Sequence, residues 1–154
     1  MPRAHVVLAS VILACLGTAR ATAAQQPADT SLYARLGGVY AIATVVDDFI
    51  ERLLVNDVLN ANPRINEARA RVPKAGLKYR VTELVCKVTG GPCTYTGRPM
   101  LQAHAHLNIS DREWNAMVGD FRVTLGKFKV PEREQNELIA IVATTKPDIV
   151  IARP

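Results

Sequence analysis

The sequence predicts an all-α protein with about five or six helices, packed as a bundle or as non-bundle layers. Apolar residues recur three and four positions apart in every long segment, and no segment alternates between apolar and polar residues as a strand does. Capping residues, Gly and Pro separate these segments. With 154 residues and 49% hydrophobic content, the chain has the length of one domain and can bury a substantial core.

Residues 1–23 are predicted to be a secretory signal peptide. A basic start is followed by an almost wholly apolar run and by Ala21-Thr22-Ala23, a small-x-small cleavage site. The apolar run is too short to span a bilayer as a mature helix. Residues 24–30 then form a polar leader, and residues 31–150 form the folded domain.

Two alternatives exist for this leading segment. Ile12-Leu13-Ala14-Cys15 resembles a bacterial lipobox, in which Cys15 would be lipidated and would anchor the protein to a membrane. The other alternative is an N-terminal helix retained as a membrane anchor. Cleavage and lipidation both place the domain outside the cytoplasm, so we expect an exported protein, either periplasmic or secreted.

The charge pattern excludes a nucleic-acid partner. Removal of the signal peptide takes away Arg3 and Arg20 and no acidic residue, which lowers the formal net charge from +5 to +3. The remaining Lys and Arg residues are scattered among acidic residues, without the basic stripe and interleaved aromatic residues that bind nucleic acid.

The first two helices are predicted on either side of a glycine pair. Thr30 or Ser31 is a suitable N-cap for a short helix over residues 31–36, and Gly37-Gly38 ends it. A second helix begins at about Val39. Its apolar face consists of Val45, Val46, Phe49, Ile50, Leu53 and Leu54.

Residues 55–73 are the least regular part of the sequence, because Asn56, Asn60, Asn62 and Pro63 interrupt it. The charged run over residues 67–71 is interpreted either as a helical turn or more, or as a solvated connection.

Another helix follows this connection. Pro73 suits its first turn. An apolar stripe then marks its length, formed by Leu77, Val81, Leu84, Val85 and Val88.

This helix ends at Gly90-Gly91-Pro92, with Cys86 before the reversal and Cys93 after it. In an oxidising compartment these cysteines would form a disulfide; the alternative is two independent small apolar residues.

A histidine-containing stretch, residues 100–109, follows the loop. On a helix, Met100, His104 and Leu107 share one apolar face, whereas His106 points the opposite way. His104 is therefore either a hydrogen-bonded core histidine or a metal ligand, and His106 is expected at the surface. Because positions i and i+2 diverge on a helix, the two histidines are not expected to chelate one metal.

The last two predicted helices have clear beginnings. Ser110-x-x-Glu113 is a capping box, followed by an apolar face of Trp114, Met117, Val118, Phe121, Leu125 and Phe128. Val130-Pro131 opens the final helix, which turns Leu138, Ile141 and Val142 inward and is expected to end at Pro147.

Taken together, the order of these motifs resembles that of the group 1 truncated haemoglobins, here as an exported member. The resemblance covers nearly all of residues 31–150. It rests on Leu32-Tyr33-x-x-Leu36-Gly37-Gly38, Val45-Val46-Asp47-Asp48-Phe49, and Gly90-Gly91-Pro92-x-x-Tyr95-Thr96-Gly97-x-x-Met100-x-x-x-His104.

The resemblance implies a shortened, two-over-two globin fold that holds non-covalent haem b, with His104 as the proximal iron ligand. A neutral imidazole would bind iron through one nitrogen, while its other N–H donates to a backbone carbonyl. The sequence contains no Cys-x-x-Cys-His, which excludes c-type covalent attachment of haem.

The same resemblance implies which residues line the haem. Met100, Leu107 and Val118 would lie on the proximal side. Phe49, Ile50, Leu77 and Val81 would lie on the distal side. Arg80 matches a family position that often pairs with a haem propionate; the alternative is a plain surface charge.

The sequence departs from the family pattern at three places. Ile50 stands where a Tyr is common and Val81 where a Gln is common, so no evident donor faces a bound gas and we expect fast release of O2. The connection over residues 55–73 lacks the usual Phe that packs on the haem, and we expect Pro63 and Ile65 to fill that space.

The function expected from these observations is reversible binding of a diatomic gas, O2, NO or CO, at a histidine-ligated iron. A reductant for the iron is a further expected partner, which the sequence does not identify. One alternative is a haem-free helical binding module. Another is a haem enzyme that detoxifies NO or peroxide, although the distal His and Arg pair that assists cleavage of the peroxide bond is missing.

Overall fold

The computed structural model describes residues 30–151, and within this range the chain is all-α, as predicted. The described residues form nine helical segments: α1 (Leu32–Arg35), α2 (Gly38–Val55), α3 (Asp57–Asn60), α4 (Pro63–Arg71), α5 (Lys74–Val88), α6 (Met100–His104), α7 (Asp111–Lys127), α8 (Glu132–Ala143) and α9 (Lys146–Ile149). The number exceeds the prediction because the connection over residues 55–73 contains α3 and α4, and because α9 is separate from α8.

Four long helices form the body of the domain. Helix α2 packs against α5 on one side and against α7 on the other, and α7 packs against α8. Their contact faces are apolar, because Ile42, Val46 and Ile50 of α2 and Phe121 and Leu125 of α7 are buried. This arrangement leaves the short helices α3, α4, α6 and α9 around one end of the domain, where α3 contacts α7 and α6 contacts α9.

The segment between α2 and α5 is helical, which confirms the helical interpretation of residues 67–71; of these, residues 67, 70 and 71 are solvent-exposed. Asn56 and Asn62 are the N-caps of α3 and α4, and each side-chain Oδ1 accepts hydrogen bonds from two backbone N–H groups. Asparagine favours both turns and N-caps, so residues that interrupt the apolar pattern here begin helices.

Two prolines have positions other than those predicted. Pro73 is the N-cap of α5 and lies just outside its first turn. Helix α8 ends at Ala143, and Pro147 lies in the first turn of the separate helix α9, so the prediction that Pro147 ends the final helix was wrong. Proline lacks the backbone N–H, which a first helical turn does not use.

The apolar stripes are buried or half-buried except at their carboxyl-terminal ends. Val88 of α5 is 43% exposed, and Phe128, which follows α7, is 36% exposed. Both were predicted on the inner face, and their exposure shows that the prediction was wrong at these two positions.

The predicted disulfide is present between Cys86 and Cys93, with their Cα atoms 5.8 Å apart. It fastens the end of α5 to the loop that leads to α6. Gly91 lies between them with no room for a side chain, since a Cβ there would lie 2.4 Å from Cδ2 of Tyr33 and 2.7 Å from Sγ of Cys86.

None of the helices within residues 30–151 is both long enough and apolar enough to cross a membrane. The predicted signal peptide, the lipobox cysteine Cys15 and residues 24–29 of the leader lie outside the described residues.

Candidate functional site

The site is built around helix α6, which carries the candidate ligand His104 in its last position. This helix has five residues, and its N-cap, Pro99, offers no side-chain hydrogen bond. Immediately after it, the Leu107 N–H donates to the His104 carbonyl oxygen at 2.8 Å and turns the chain back. His104 is half-buried and His106 is exposed, as the helical spacing predicted.

The imidazole of His104 has a defined tautomer. Its Nδ1 lies 2.9 Å from the carbonyl oxygen of Met100, and because that oxygen can only accept, Nδ1 carries the proton. The lone pair is therefore on Nε2. This hydrogen bond to a backbone carbonyl is the one expected of an iron-binding histidine.

The charge state of His104 also suits a ligand. Burial lowers the pKa of His104, and the nearby positive groups His106 and Arg98 lower it further, against the raising effect of the hydrogen bond to Met100. The ring is therefore held in the neutral form, which is the form that binds a metal.

The residues predicted for the proximal side lie together. Met100, Leu107 and Val118 pack against one cluster of buried residues. That cluster consists of Leu59, Ile65, Ile109, Trp114 and Ile149. Ile65 is buried there, as expected for a residue that replaces the missing Phe, whereas Pro63 is exposed at the start of α4 and fills no space.

The residues predicted for the distal side belong to a second cluster. Phe49, Leu77 and Val81 pack against a core that includes Ile50, which is 2% exposed, and Cys86. The Phe49 ring also contacts Phe121, with ring centroids 5.0 Å apart.

Leu53 of α2 packs against both clusters. Sequence reasoning placed it on the apolar face of α2 and did not identify it as a site residue. It marks where the proximal and distal clusters meet.

Arg80 lies at the edge of the distal cluster with its side chain 45% exposed, and its Nη1 is 3.0 Å from Oε2 of Glu83. The same carboxylate accepts hydrogen bonds from the Thr96 hydroxyl at 2.8 Å and the Thr96 N–H at 3.3 Å. Glu83 therefore ties α5 to the loop before α6. A pattern of apolar spacing gave no signal for this buried carboxylate.

Glu83 is ionised in this setting. Burial acts to raise the pKa of Glu83, but the hydrogen bonds from Thr96 and Tyr79 and the charge of Arg80 together lower it. The same interaction with Glu83 raises the pKa of the exposed Tyr79.

This donor set fits a haem. It offers one neutral imidazole with a free Nε2 beside apolar clusters and a cation at their edge. Within residues 30–151, no group of three or more His, Cys, Asp and Glu side chains has an arrangement that could hold a metal ion. A metal at His104 would therefore take its other ligands from outside residues 30–151, as the iron of a porphyrin does.

Comparison with known proteins agrees with this chemistry. The family model described as bacterial-like globin matches residues 31–150. The group 1 truncated hemoglobin GlbN of Synechocystis is 33% identical over 118 residues, which cover 74% of this chain and 87% of that protein. The GlbN of Mycolicibacterium paratuberculosis is 29% identical over 122 residues, covering 77% and 83% of the two chains.

Solved structures show the same fold. The truncated hemoglobin of Tetrahymena pyriformis in its Fe(III) form superimposes with a TM-score of 0.66 at 23% identity, over 78% of this chain and 97% of that one. A 2/2 hemoglobin of Synechococcus, in the cyanomet state with covalently attached heme, has a TM-score of 0.66 at 25% identity, over 78% and 98%. The helical arrangement described above is therefore the two-over-two arrangement.

Proposed function

The chain belongs to the bacterial-like globins, as a group 1 truncated haemoglobin, and from this membership we propose that His104 holds haem b and that the protein reversibly binds O2, NO or CO. The family's known cofactor is haem b with its iron, and its known ligands are diatomic gases. The observation that supports His104 is the contact from its Nδ1 to the Met100 carbonyl oxygen, which leaves Nε2 free.

Bound haem supplies the iron to which a gas binds, and the chain supplies the environment. Met100, Leu107 and Val118 offer an apolar proximal surface, which limits water at the imidazole. Arg80 offers a cation for a propionate carboxylate. The distal residues Ile50 and Val81 have no hydrogen-bond donor, so we expect O2 to dissociate quickly.

Hemin reconstitution tests this function. We expect the purified protein to take up hemin and to show a sharp Soret band that shifts with CO after reduction. His104→Ala should lose this band, whereas His106→Ala, the matched control on the exposed side of the same turn, should retain it. Equal spectra for the wild type and His104→Ala would contradict the assignment. Stopped-flow measurement of O2 release then tests the distal side, where a slowly dissociating complex would argue against an environment without donors.

We further propose that the protein is exported. The Cys86–Cys93 disulfide supports this, because cytoplasmic thiols are kept reduced whereas exported proteins are oxidised. Residues 1–23 fused to alkaline phosphatase, which is active outside the cytoplasm, should give an active reporter. A Cys15→Ala version tests the anchor: activity that moves from the membrane to the soluble fraction would establish lipidation, and unchanged distribution would exclude it.

A further inference from the structure

The turn that follows His104 is held from outside its own helix. The Leu107 N–H donates to the His104 carbonyl oxygen at 2.8 Å, and the Leu107 carbonyl oxygen accepts from Nδ2 of Asn62 at 3.1 Å. One residue, Leu107, thus links the histidine helix to a side chain that lies 42 positions earlier than His104 in the sequence.

The Asn62 amide is oriented by its other contacts. Its Oδ1 caps α4 by accepting from the N–H groups of Arg64 at 2.9 Å and Ile65 at 3.4 Å. Since the oxygen faces the α4 backbone, the Nδ2 hydrogens face away from α4 toward Leu107. The Ile65 side chain anchors the same turn in the proximal cluster.

Two neighbouring contacts strengthen this link. Nη1 of Arg64 lies 3.3 Å from the His106 carbonyl oxygen, one residue before Leu107. On α7, burial acts to raise the pKa of Glu113, but hydrogen bonds from Ser110 and from Asn62 lower it. Asn62 therefore contacts the beginning of α4 and the turn after α6, and it lowers the pKa of Glu113 in the capping box of α7.

We propose that Asn62 is a positioning residue for His104. Through its hydrogen bond to the Leu107 carbonyl oxygen, Asn62 fixes the position and orientation of the carboxyl end of α6, and thereby the direction of the imidazole. This inference rests on the proposed haem function. It identifies the beginning of α4, with Asn62 and Arg64, as a support for the proximal histidine.

The chain contains a matched control. Asn56 is the N-cap of α3, and its Oδ1 likewise accepts from two N–H groups, those of Val58 and Leu59. Its Nδ2 donates to Asp120 of α7 at 2.7 Å and does not contact the turn after His104. Asn62→Ser and Asn56→Ser both retain a capping hydroxyl group and lose one amide donor.

The first measurement is amide hydrogen exchange by NMR on the haem-free protein. Asn62→Ser removes the hydrogen bond to the Leu107 carbonyl oxygen, so local opening of this turn costs less free energy. We therefore expect exchange of the Leu107 amide hydrogen to become about three- to tenfold faster, the factor for loss of one hydrogen bond. The His104 Nδ1–H resonance should shift in the same variant. Asn56→Ser should leave both signals as in the wild type.

The second measurement uses the hemin-loaded, reduced protein. Asn62→Ser should shift or broaden the Fe–His stretching band in the resonance Raman spectrum and release hemin several-fold faster, whereas Asn56→Ser should affect neither. Identical Leu107 exchange and an identical band in the two variants would overturn the proposal. If the wild type took up no hemin, the proposed function would fail. The NMR measurement would still test the coupling between Asn62 and His104. A shifted His104 resonance in Asn62→Ser would support that coupling, and an unshifted resonance would overturn it.

Discussion

Helix α6 and helix α7 are neighbours in the chain but are stabilised in different ways. Helix α7 has 17 residues, begins with a capping box between Ser110 and Glu113, and buries four side chains. Helix α6 has five residues, no side-chain cap and no fully buried residue. A helix of that length is unstable by itself. The candidate ligand therefore lies on an element that depends on its contacts with α9, on the α4 side chains that bind the turn after it, and on Glu83 and the disulfide, which hold the loop before it.

The comparison predicts that replacing a side chain with Ala lowers the free energy of unfolding much more in α7 than in α6. Leu125 of α7 is 0% exposed and borders an apolar cavity of about 40 Å³. Because Leu125→Ala enlarges that cavity, we expect a loss of about 3–5 kcal/mol in the free energy of unfolding. Urea denaturation of the haem-free protein followed by circular dichroism measures it.

Met100→Ala on α6 is the companion variant. We expect it to change the same free energy of unfolding by about 1 kcal/mol or less, since Met100 is only half-buried. Similar losses in the two variants would show that α6 is a full part of the cooperative core.

Removal of the disulfide is expected to have the next largest effect. Cys86 and Cys93 are seven positions apart, and closing so short a loop accounts for about 2 kcal/mol. A Cys86→Ala, Cys93→Ala double variant should lose about that much stability in urea. Treatment of the wild type with a reductant should reproduce the loss and leave the double variant unchanged; an effect of reductant on both would assign it to another cause.

The smallest effect concerns the ion pair between Asp48 of α2 and Lys127 of α7. The hydrogen bond from Lys127, then those from Arg52 and Thr124 and the charge of Arg52, lower the pKa of Asp48 to about 2 from 3.8, although burial acts to raise it. A lowered carboxyl pKa stabilises the fold above pH 3.8 and ceases to do so as the pH falls toward 2.

We expect Asp48 to contribute about 1 kcal/mol to this acid-labile stability, since Lys127 is half exposed and screened by solvent. Denaturation midpoints between pH 5 and pH 2 measure it, with Asp48→Asn as the comparison. If the two proteins lost stability in parallel over that range, the acid sensitivity would belong to other carboxyl groups.

The same difference between α6 and α7 explains how far the sequence predicted the structure. Helix α7 follows from its capping box and apolar spacing, and the inward orientation of His104 follows from its spacing to Met100 and Leu107. The contacts that hold α6 in place could not be predicted from the sequence, because they come from residues that are distant along the chain. Asn62 has the same local pattern whether it caps a helix or forms a turn, and the buried state of Glu83 depends on Thr96, which only the folded chain brings near.

The short span of the disulfide has a consequence for biogenesis. Under the export that we propose, the chain crosses the membrane amino-terminus first and exposes Cys93 just after Cys86, before His104 or any of α7 has appeared. Within residues 30–151 these are the two cysteines, so an oxidase meets no competing thiol there. The disulfide around Gly91 can thus form while the rest of the polypeptide is still in transit. Helices α6 and α7 then fold onto a reversal of the chain that is already covalently fixed.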